Sequence, residues 1–317
     1  MSTVKKYLSL IKFSHTIFAM PFALIGFMLG VIALMTNPPA PSPVIGPDGE
    51  LQIPPHFKFD SFNAPDLSHL GLLLLLVVLC MIFARSAAMA FNRYLDRSFD
   101  AQNPRTAIRE IPAGILKANS VLWFTIICSV LFVVCTWFIN RICFFLSPVA
   151  LFVILFYSYT KRFTPLCHLV LGLGLSLAPI GAYLAVTGAF ALLPILFSFA
   201  VIFWVSGFDI IYALQDEEFD KSKQLNSIPA WLGKAKGLRV SEVLHVLSAV
   251  CVIAAGLVGH FHLLYWGGVA VFAGMLVYQH SIVKPTDLRR VNLAFMTANG
   301  IASVVFAVFV ITDLLIG

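Results

Sequence analysis

Long uninterrupted runs of apolar residues dominate the chain, and short polar segments separate them. Runs such as Leu70–Met81 and Val149–Phe156 lack the polar/apolar alternation of a transmembrane β-barrel. Apolar segments of about 20 residues have the length that a helix needs to cross a bilayer. The pattern therefore predicts an all-α polytopic membrane protein with nine spans, at roughly 14–36, 69–91, 119–139, 143–160, 169–188, 191–208, 241–260, 263–283 and 293–314.

Composition agrees with this pattern and excludes a water-soluble fold. Of the 317 residues, 60% are hydrophobic and 11% are charged, whereas about 25% of residues are charged in ordinary soluble domains. The first span resembles a signal peptide in position, but it is too long and lacks a clear small-residue cleavage site. We therefore expect it to be retained as a transmembrane helix.

The distribution of basic residues predicts the orientation. With the amino terminus inside, all 21 Lys and Arg residues except Lys58 and Arg141 fall on the cytoplasmic side. Because Lys and Arg concentrate in cytoplasmic loops, the predicted orientation is N-in, C-out. The net charge of +6 then needs no nucleic-acid partner to explain it. We expect a multi-pass protein of the cell (inner) membrane whose active site faces the cytoplasm.

Three connecting segments are unusually long. The external segment 37–65 is rich in proline, which predicts a loop without regular helix. Two cytoplasmic loops, about 92–118 and 209–240, hold most of the cytoplasmic acidic residues, so we expect the chemistry there. They follow the second and sixth spans, an offset of four. This offset predicts a single domain over 1–317, built as a repeat of spans 1–4 and 5–8 plus a ninth span.

Regularly spaced polar residues follow the second and sixth spans. One set is Asn92, Asp96 and Asp100, and the other is Tyr212, Asp216 and Asp220. Positions i, i+4 and i+8 share one face of a helix. A single pair of this kind is often only a solvated helix end, but two copies on one side of the membrane favour a site. Carboxylates without nearby His or Cys suit Mg²⁺ shared with phosphate oxygens, which predicts metal ligands at Asp96, Asp100, Asp216 and Asp220.

Basic residues lie at the same depth as these acids. Arg105 and Arg109 follow the first set one turn apart, and Lys161 and Arg162 end the fourth span. Guanidinium and ammonium groups are suited to binding a departing diphosphate. Arg85 lies inside an apolar segment, about two turns before Asn92, where an unpaired arginine is costly. We expect it to meet a ligand carboxylate or phosphate rather than to form a structural ion pair.

These segments resemble the signatures of a known family. The run from Arg85 to Arg109 looks like the first aspartate-rich signature of the UbiA superfamily of intramembrane aromatic prenyltransferases. The run Asp209-x-x-Tyr212-x-x-x-Asp216-x-x-x-Asp220 resembles the second, and Tyr157-Ser-Tyr-Thr-Lys161-Arg162 resembles the segment between them. The resemblance implies nine helices around a central cavity, capped on the cytoplasmic side by the two long loops and open laterally to lipid.

The resemblance also implies an activity, the Mg²⁺-dependent transfer of a polyprenyl chain from polyprenyl diphosphate to an aromatic acid. The acceptor would be 4-hydroxybenzoate or a related hydroxynaphthoate, in ubiquinone or menaquinone biosynthesis. Where relatives acting on 4-hydroxybenzoate often carry a charged residue and proline, this chain reads Ser14-His15-Thr16. The identity of the acceptor therefore stays open.

Residue roles follow from the same resemblance. Asn92 and the four aspartates would hold Mg²⁺ and diphosphate, while Arg105, Arg109 and Lys161 would contact the diphosphate. Arg85 would meet the acceptor, and Asp209 would polarise or deprotonate its phenol. The catalytic candidates are Tyr157, Lys161 and Asp209, and the substrate-binding candidates are Arg85, Asn92, Arg105, Arg109, Arg162 and Tyr212.

Two alternatives remain open at this point. A membrane transporter with a metal or anion site at the cytoplasmic face also places ionisable residues in a repeated helical fold, although carriers bind near the midplane and these charges cluster at one face. A haem- or chlorophyll-type prenyltransferase of the same superfamily would accept a macrocycle instead. The expected partners are the two substrates and the lipid bilayer, with no nucleic acid and no obligatory protein partner.

Overall fold

The computed structural model describes residues 3–11, 18–36, 44–45, 51–52 and 67–317. The helices in these ranges are α1 (Thr3–Leu10), α2 (Met20–Thr36), α3 (Leu67–Leu95), α4 (Arg97–Gln102), α5 (Ala118–Ile139), α6 (Arg141–Thr160), α7 (Cys167–Thr187), α8 (Leu192–Ala213), α9 (Glu217–Ser222), α10 (Ile228–Leu232), α11 (Lys234–Val258), α12 (Leu263–Ile282) and α13 (Asn299–Ile316). A 3₁₀ turn (Leu214–Asp216) joins α8 to α9, and a π-helical turn (Leu293–Ala298) leads into α13. Strands β1 (Val44–Ile45) and β2 (Leu51–Gln52) pair antiparallel, with Val44 opposite Gln52.

The apolar pattern locates the long helices well. Within the described ranges, seven helical segments are long and apolar enough to cross a membrane: Ser68–Leu95, Ala118–Ile139, Arg141–Thr160, Cys167–Thr187, Leu192–Ser222, Lys234–Val258 and Leu293–Ile316. Helix α2 is a shorter apolar helix of 17 residues, and α12 has 20 residues but ends in a polar stretch with Gln279 and His280. The all-helical membrane architecture is confirmed, while the number of nine spans and the orientation stay predictions.

The polar loops are shorter than the hydropathy pattern predicts. Helices α3 and α8 run on to Leu95 and Ala213, and α11 begins at Lys234 rather than near 241. Hydropathy marks where contact with lipid ends, whereas backbone hydrogen bonding continues into polar residues. The loop boundaries at 92, 209 and 240 were therefore wrong by several residues. Most of the proline-rich segment 37–65, and all of 14–16, lie outside the described residues.

The long helices pack as a ring. Its order is α3, α5, α6, α7, α8, α11, α12 and α13, and α2 lies between α13 and α3. Helix α2 also packs along α7. This contact depends on Gly26, because a Cβ atom there would lie 2.0 Å from the Pro179 carbonyl oxygen. A glycine at this position lets the two backbones approach closely.

An aromatic core stabilises one half of the ring. Phe22, Phe197, Trp204, Phe272 and Phe306 are fully buried. The Trp204 ring centroid lies 5.4 Å from that of Phe22 and 5.9 Å from that of Phe272. Large buried rings supply much of the packing energy of such a core. The core fixes α2, α8, α12 and α13, and the cavities lie beside it, toward α3 and α6.

Candidate active site

A polar cavity of about 770 Å³ lies at one end of the bundle. We call this the site end; here α3 ends at Leu95, α6 at Thr160 and α8 at Ala213. The segments that follow α4 and α8 close over the cavity. All thirteen residues singled out by the sequence line it: Arg85, Asn92, Asp96, Asp100, Arg105, Arg109, Tyr157, Lys161, Arg162, Asp209, Tyr212, Asp216 and Asp220.

The first acidic arm, Asn92 to Asp100, keeps helical geometry across the end of α3. The Asp96 amide donates to the Asn92 carbonyl at 2.9 Å, and the Asp100 amide donates to the Asp96 carbonyl at 2.8 Å. Asp96 is the turn residue between α3 and α4, and these two hydrogen bonds across the turn keep the three side chains on one side. Asn92 Nδ2 donates to Asp96 Oδ2 at 2.9 Å, which orients that carboxylate.

The second acidic arm, Tyr212 to Asp220, crosses from α8 through the 3₁₀ turn into α9. Asn103 Nδ2, from the segment after α4, donates to Asp216 Oδ1 at 3.1 Å. Asp220 is completely buried and accepts from Ser227 Oγ at 2.9 Å. Both arms are therefore anchored by polar contacts from outside their own helices.

Each of the four aspartates forms an ion pair with a basic residue. The pairs are Asp96 with Arg162 (2.9 Å), Asp100 with Arg109 (2.5 Å), Asp220 with Lys161 (2.7 Å) and Asp216 with Arg105. Lys161 and Arg162 are adjacent in sequence but bind to different arms. The basic residues thus bridge the arms and hold them around one space.

Arg105 is held by several contacts at once. Its Nε donates to Asp216 Oδ1 at 3.0 Å and its Nη1 donates to the Tyr212 hydroxyl at 2.9 Å. The Tyr212 ring lies 4.3 Å, between centroids, from the ring of Phe295 in the π-helical turn. Sequence reasoning missed Phe295 because nothing in its apolar surroundings marks it as different from other packing residues.

Asp209 has a histidine partner that the sequence analysis missed. His168 Nδ1 lies 2.7 Å from Asp209 Oδ2, and the Ile228 amide donates to His168 Nε2 at 3.3 Å. His168 is buried at the start of α7. It lies 41 residues before Asp209 in an otherwise apolar run, so no spacing pattern connects the two.

A second, apolar cavity of about 410 Å³ lies among α3, α5, α6 and α7. Arg85 and Tyr157 line both cavities, so the two meet there. Arg85 Nε is buried and has no hydrogen-bond partner within the described parts of the chain. Leu146 and Val149, both on α6, also line the apolar cavity and are 36% and 58% exposed. The cavity therefore reaches the side of the bundle.

The carboxylates fit a shared cation better than a complete protein cage. The pKa of Asp96 lies above its ordinary value, because the effect of burial outweighs the opposite effect of the positive charge of Arg162. Asp100 Oδ2 is buried without a hydrogen-bond partner among the described residues. Within the described part of the chain, no group of three or more His, Cys, Asp or Glu side chains is close enough together to hold a metal ion. Such oxygen donors on two arms suit Mg²⁺ with phosphate oxygens completing its coordination.

Fold and site together define a multi-pass helical membrane protein with carboxylates and cations gathered at the site end, next to an apolar cavity. Residues 61–301 match the model of the UbiA prenyltransferase family. The chain belongs to this family, and it is a prenyltransferase. The family resemblance inferred from the two acidic arms is confirmed.

Individual relatives extend over most of the chain. The 4-hydroxybenzoate octaprenyltransferase of Francisella tularensis subsp. mediasiatica is 28% identical over 251 residues, 79% of this chain and 87% of the relative. That of Tolumonas auensis is 30% identical over 236 residues, 74% and 82% of the two chains. An apo UbiA homolog from Aeropyrum pernix K1 superposes with a TM-score of 0.72 at 25% identity, covering 95% of this chain and 97% of that one. A UbiA homolog from Archaeoglobus fulgidus bound to DMAPP and Mg²⁺ gives 0.67 at 18% identity, covering 98% and 100%.

Proposed function

We propose that this prenyltransferase moves a polyprenyl chain from polyprenyl diphosphate to a small aromatic acid. The acceptor is 4-hydroxybenzoate or a related hydroxynaphthoate, and the product belongs to ubiquinone or menaquinone biosynthesis. The observation that carries this proposal is the junction at Arg85, where a cavity rich in carboxylates and cations meets an apolar cavity. The names of the two curated relatives support the same acceptor class.

The two acidic arms bind the diphosphate end of the donor. Asp96, Asp100, Asp216 and Asp220 hold Mg²⁺, as the Mg²⁺ in the Archaeoglobus homolog supports. When bound, the metal neutralises charge on the departing diphosphate. The basic residues now paired with these carboxylates move onto phosphate oxygens. Binding therefore exchanges one set of ion pairs for another and leaves few buried charges unpaired.

The prenyl chain and the acceptor occupy the junction. The apolar cavity takes the chain, and the Arg85 guanidinium binds the acceptor carboxylate through paired hydrogen bonds. Tyr157 lines both cavities, so its ring lies where the allylic carbon passes from one to the other. An aromatic face stabilises a neighbouring cation, and the apolar walls exclude the water that would quench it.

The reaction breaks the allylic C–O bond, and the electron pair stays on the diphosphate. Asp209 takes the phenolic proton as the ring carbon forms a C–C bond to the allyl cation. That ring carbon then loses its hydrogen as a proton and the phenol oxygen regains one, so one proton is released per turnover. Lys161 and the arginines stabilise the charge that develops on the leaving diphosphate.

Placement in the membrane is part of the proposal. We place the site end at the cytoplasmic face of the inner membrane, because the basic residues sort to that side. A single domain of two four-span repeats plus a ninth span accounts for two acidic arms at the same end of the bundle.

The test is product formation by the purified protein in detergent. Labelled polyprenyl diphosphate is incubated with a panel of 4-hydroxybenzoate, hydroxynaphthoates and a porphyrin-type macrocycle, with Mg²⁺ or with EDTA. We expect a prenylated small aromatic acid only with Mg²⁺. Product from the macrocycle alone would favour the haem- or chlorophyll-type activity.

A further inference from the structure

The His168–Asp209 pair joins α7 to α8 beside the polar cavity. His168 is 2% exposed, and its two ring nitrogens both have partners: Asp209 Oδ2 at 2.7 Å from Nδ1 and the Ile228 amide at 3.3 Å from Nε2. Asp209 is one quarter exposed and lines the cavity. Its other oxygen, Oδ1, has no partner among the described residues.

The Ile228 contact determines the protonation of the histidine. A backbone amide can only donate, so this contact favours the tautomer in which Nε2 holds its lone pair and Nδ1 carries the proton. In this tautomer the ring is neutral and Nδ1–H donates to Asp209 Oδ2. We propose that His168 is a positioning residue that holds one oxygen of Asp209 so that the other faces the acceptor.

This role rests on the proposed function of Asp209 as the group that takes the phenolic proton. A hydrogen bond donated to Oδ2 fixes the rotation of the carboxylate. The proton itself stays with Asp209 Oδ1, because Nδ1 is already protonated and Nε2 is occupied by the Ile228 amide. His168 therefore orients the base without relaying the proton.

The turn that holds His168 also contacts the donor side of the cavity. Ser227 precedes Ile228 and donates through Oγ to Asp220 Oδ2 at 2.9 Å. The Asn226 amide donates to the Lys161 carbonyl at 2.7 Å. One turn therefore contacts both the residues proposed for diphosphate binding and the histidine that orients Asp209. It fixes the spacing between the donor arm and the acceptor base.

Two substitutions separate the two hydrogen bonds of His168. In His168→Asn the amide nitrogen takes the place of Nδ1, which keeps the donor to Asp209 and loses the acceptor for Ile228. In His168→Gln the longer amide reaches the place of Nε2, which keeps the Ile228 contact and loses the donor to Asp209. Thermal unfolding of both variants monitors the packing of α7 against α10.

We expect acceptor turnover in His168→Asn within a few-fold of wild type. We expect a loss of roughly tenfold to a hundredfold in His168→Gln, the effect of removing a hydrogen bond to a charged group. The KM for polyprenyl diphosphate should stay unchanged in both. Equal losses in the two variants, or a change confined to the donor KM, would show that His168 only packs and would overturn the proposal.

A double-mutant cycle tests whether His168 acts through Asp209. In an Asp209→Asn background, His168→Gln should cause no further loss, because the group that it orients is gone. Additive losses would overturn the proposal, as would wild-type acceptor kinetics in Asp209→Asn alone.

The tautomer gives a readout that does not depend on the reaction. The ¹⁵N-histidine difference spectrum between wild type and His168→Asn isolates the His168 signals, and we expect a neutral ring protonated at Nδ1. A doubly protonated ring would overturn the inference even if the enzyme prenylates its acceptor. If the tautomer is as expected but no aromatic acid is prenylated by the wild type, the proposed function fails and the His168–Asp209 geometry stands.

Discussion

At the scale of single residues, mutual neutralisation of acids and bases sets the properties of the polar cavity. The ion pairs are partly buried: the side chain of Asp216 is 12% exposed and that of its partner Arg105 is 31% exposed. Removing one member of such a pair leaves the other charge without compensation. A substitution in either acidic arm therefore leaves a basic side chain without its partner and also removes one of the proposed metal ligands.

Asp96→Asn and Asp216→Asn test the acidic arms. Each should lower product formation by roughly a hundredfold to a thousandfold, the usual effect of removing a group that stabilises developing charge. Excess Mg²⁺ should not restore the rate, since the other arm alone leaves much of the metal coordination to water. Asp287→Asn is the matched control, because Asp287 pairs with Arg289 in an exposed loop outside the cavity. Wild-type turnover by Asp96→Asn would exclude the metal site.

Arg85→Ala tests the acceptor pocket. Arg85 lies at the junction with a buried Nε that has no partner in the described chain, so an acceptor carboxylate would satisfy it. We expect the acceptor KM to rise roughly tenfold to a hundredfold, as for the loss of a charge-assisted hydrogen bond, with little change in the donor KM. Arg85→Lys should recover only part of this, because an ammonium lacks the planar fork.

Steady-state kinetics with each substrate varied in turn measures both constants, and Arg141→Ala, at the opposite end of α6, is the control. A rise in the donor KM alone would place Arg85 in the diphosphate site instead.

At the scale of helices and turns, continuity of the backbone explains which parts of the site the sequence predicts. The i, i+4 spacing places Asp96 and Asp100 on one side of the chain, because their amides keep i to i+4 hydrogen bonds across the turn between α3 and α4. The partners of these acids are not predictable in the same way. Arg162 reaches Asp96 across 66 residues of chain, and only the packing of α6 against α3 brings the two together.

The π-helical turn before α13 shows the same limit. Asn299 is fully buried, and its Oδ1 accepts from Trp204 Nε1 at 2.9 Å and from Gln279 Nε2 at 2.8 Å. Its Nδ2 donates to the Phe295 carbonyl at 3.0 Å. This network links α8 and α12 to the turn that places Phe295 against Tyr212. No sequence spacing connects Trp204, Gln279 and Asn299, so the network exists only in the folded bundle.

Gly181→Phe tests the apolar cavity as the site of the prenyl chain. Gly181 lines that cavity on α7, and a Cβ atom there meets nothing within 4 Å. The new ring should fill the space and lower the rate with long polyprenyl diphosphates far more than with geranyl diphosphate, because the displaced carbons lose roughly 0.8 kcal/mol per buried CH₂.

Gly274→Phe is the control, since this α12 position has the same free space around its Cβ but does not line the cavity. Rates measured with donors of increasing length give the comparison. An equal effect on all donor lengths would place the chain elsewhere.

At the scale of the whole molecule, the sequence predicts the architecture better than the boundaries. Apolar runs locate the long helices because a helix that crosses the bilayer needs apolar residues along its whole membrane-spanning length. The runs do not show how helices pack, so the close contact of α2 with α7 at Gly26 and the division of the interior into two cavities become visible only in the fold. The orientation depends on charge distribution alone and therefore calls for a direct test.

Cysteine labelling tests the proposed orientation. Ser222 lies at the site end, and Ala189 lies in the connection between α7 and α8 at the opposite end; both are exposed. In intact cells an impermeant thiol reagent should label Ala189→Cys and not Ser222→Cys, while permeabilised cells should show both. The protein without an introduced cysteine is the control for labelling of its native cysteines. The reverse pattern would invert the orientation.

The side opening of the apolar cavity at Leu146 and Val149 determines which donor concentration governs the rate. For a donor that enters from within the bilayer, the effective concentration is its mole fraction in the lipid and not its concentration in the bulk solution. We expect that adding lipid to a fixed quantity of enzyme and donor, at constant volume, slows the reaction by surface dilution. The acceptor, which enters through the polar end, should keep a KM set by its bulk concentration. The rate would thus depend on two quantities, the mole fraction of the donor in the lipid and the concentration of the acceptor in water.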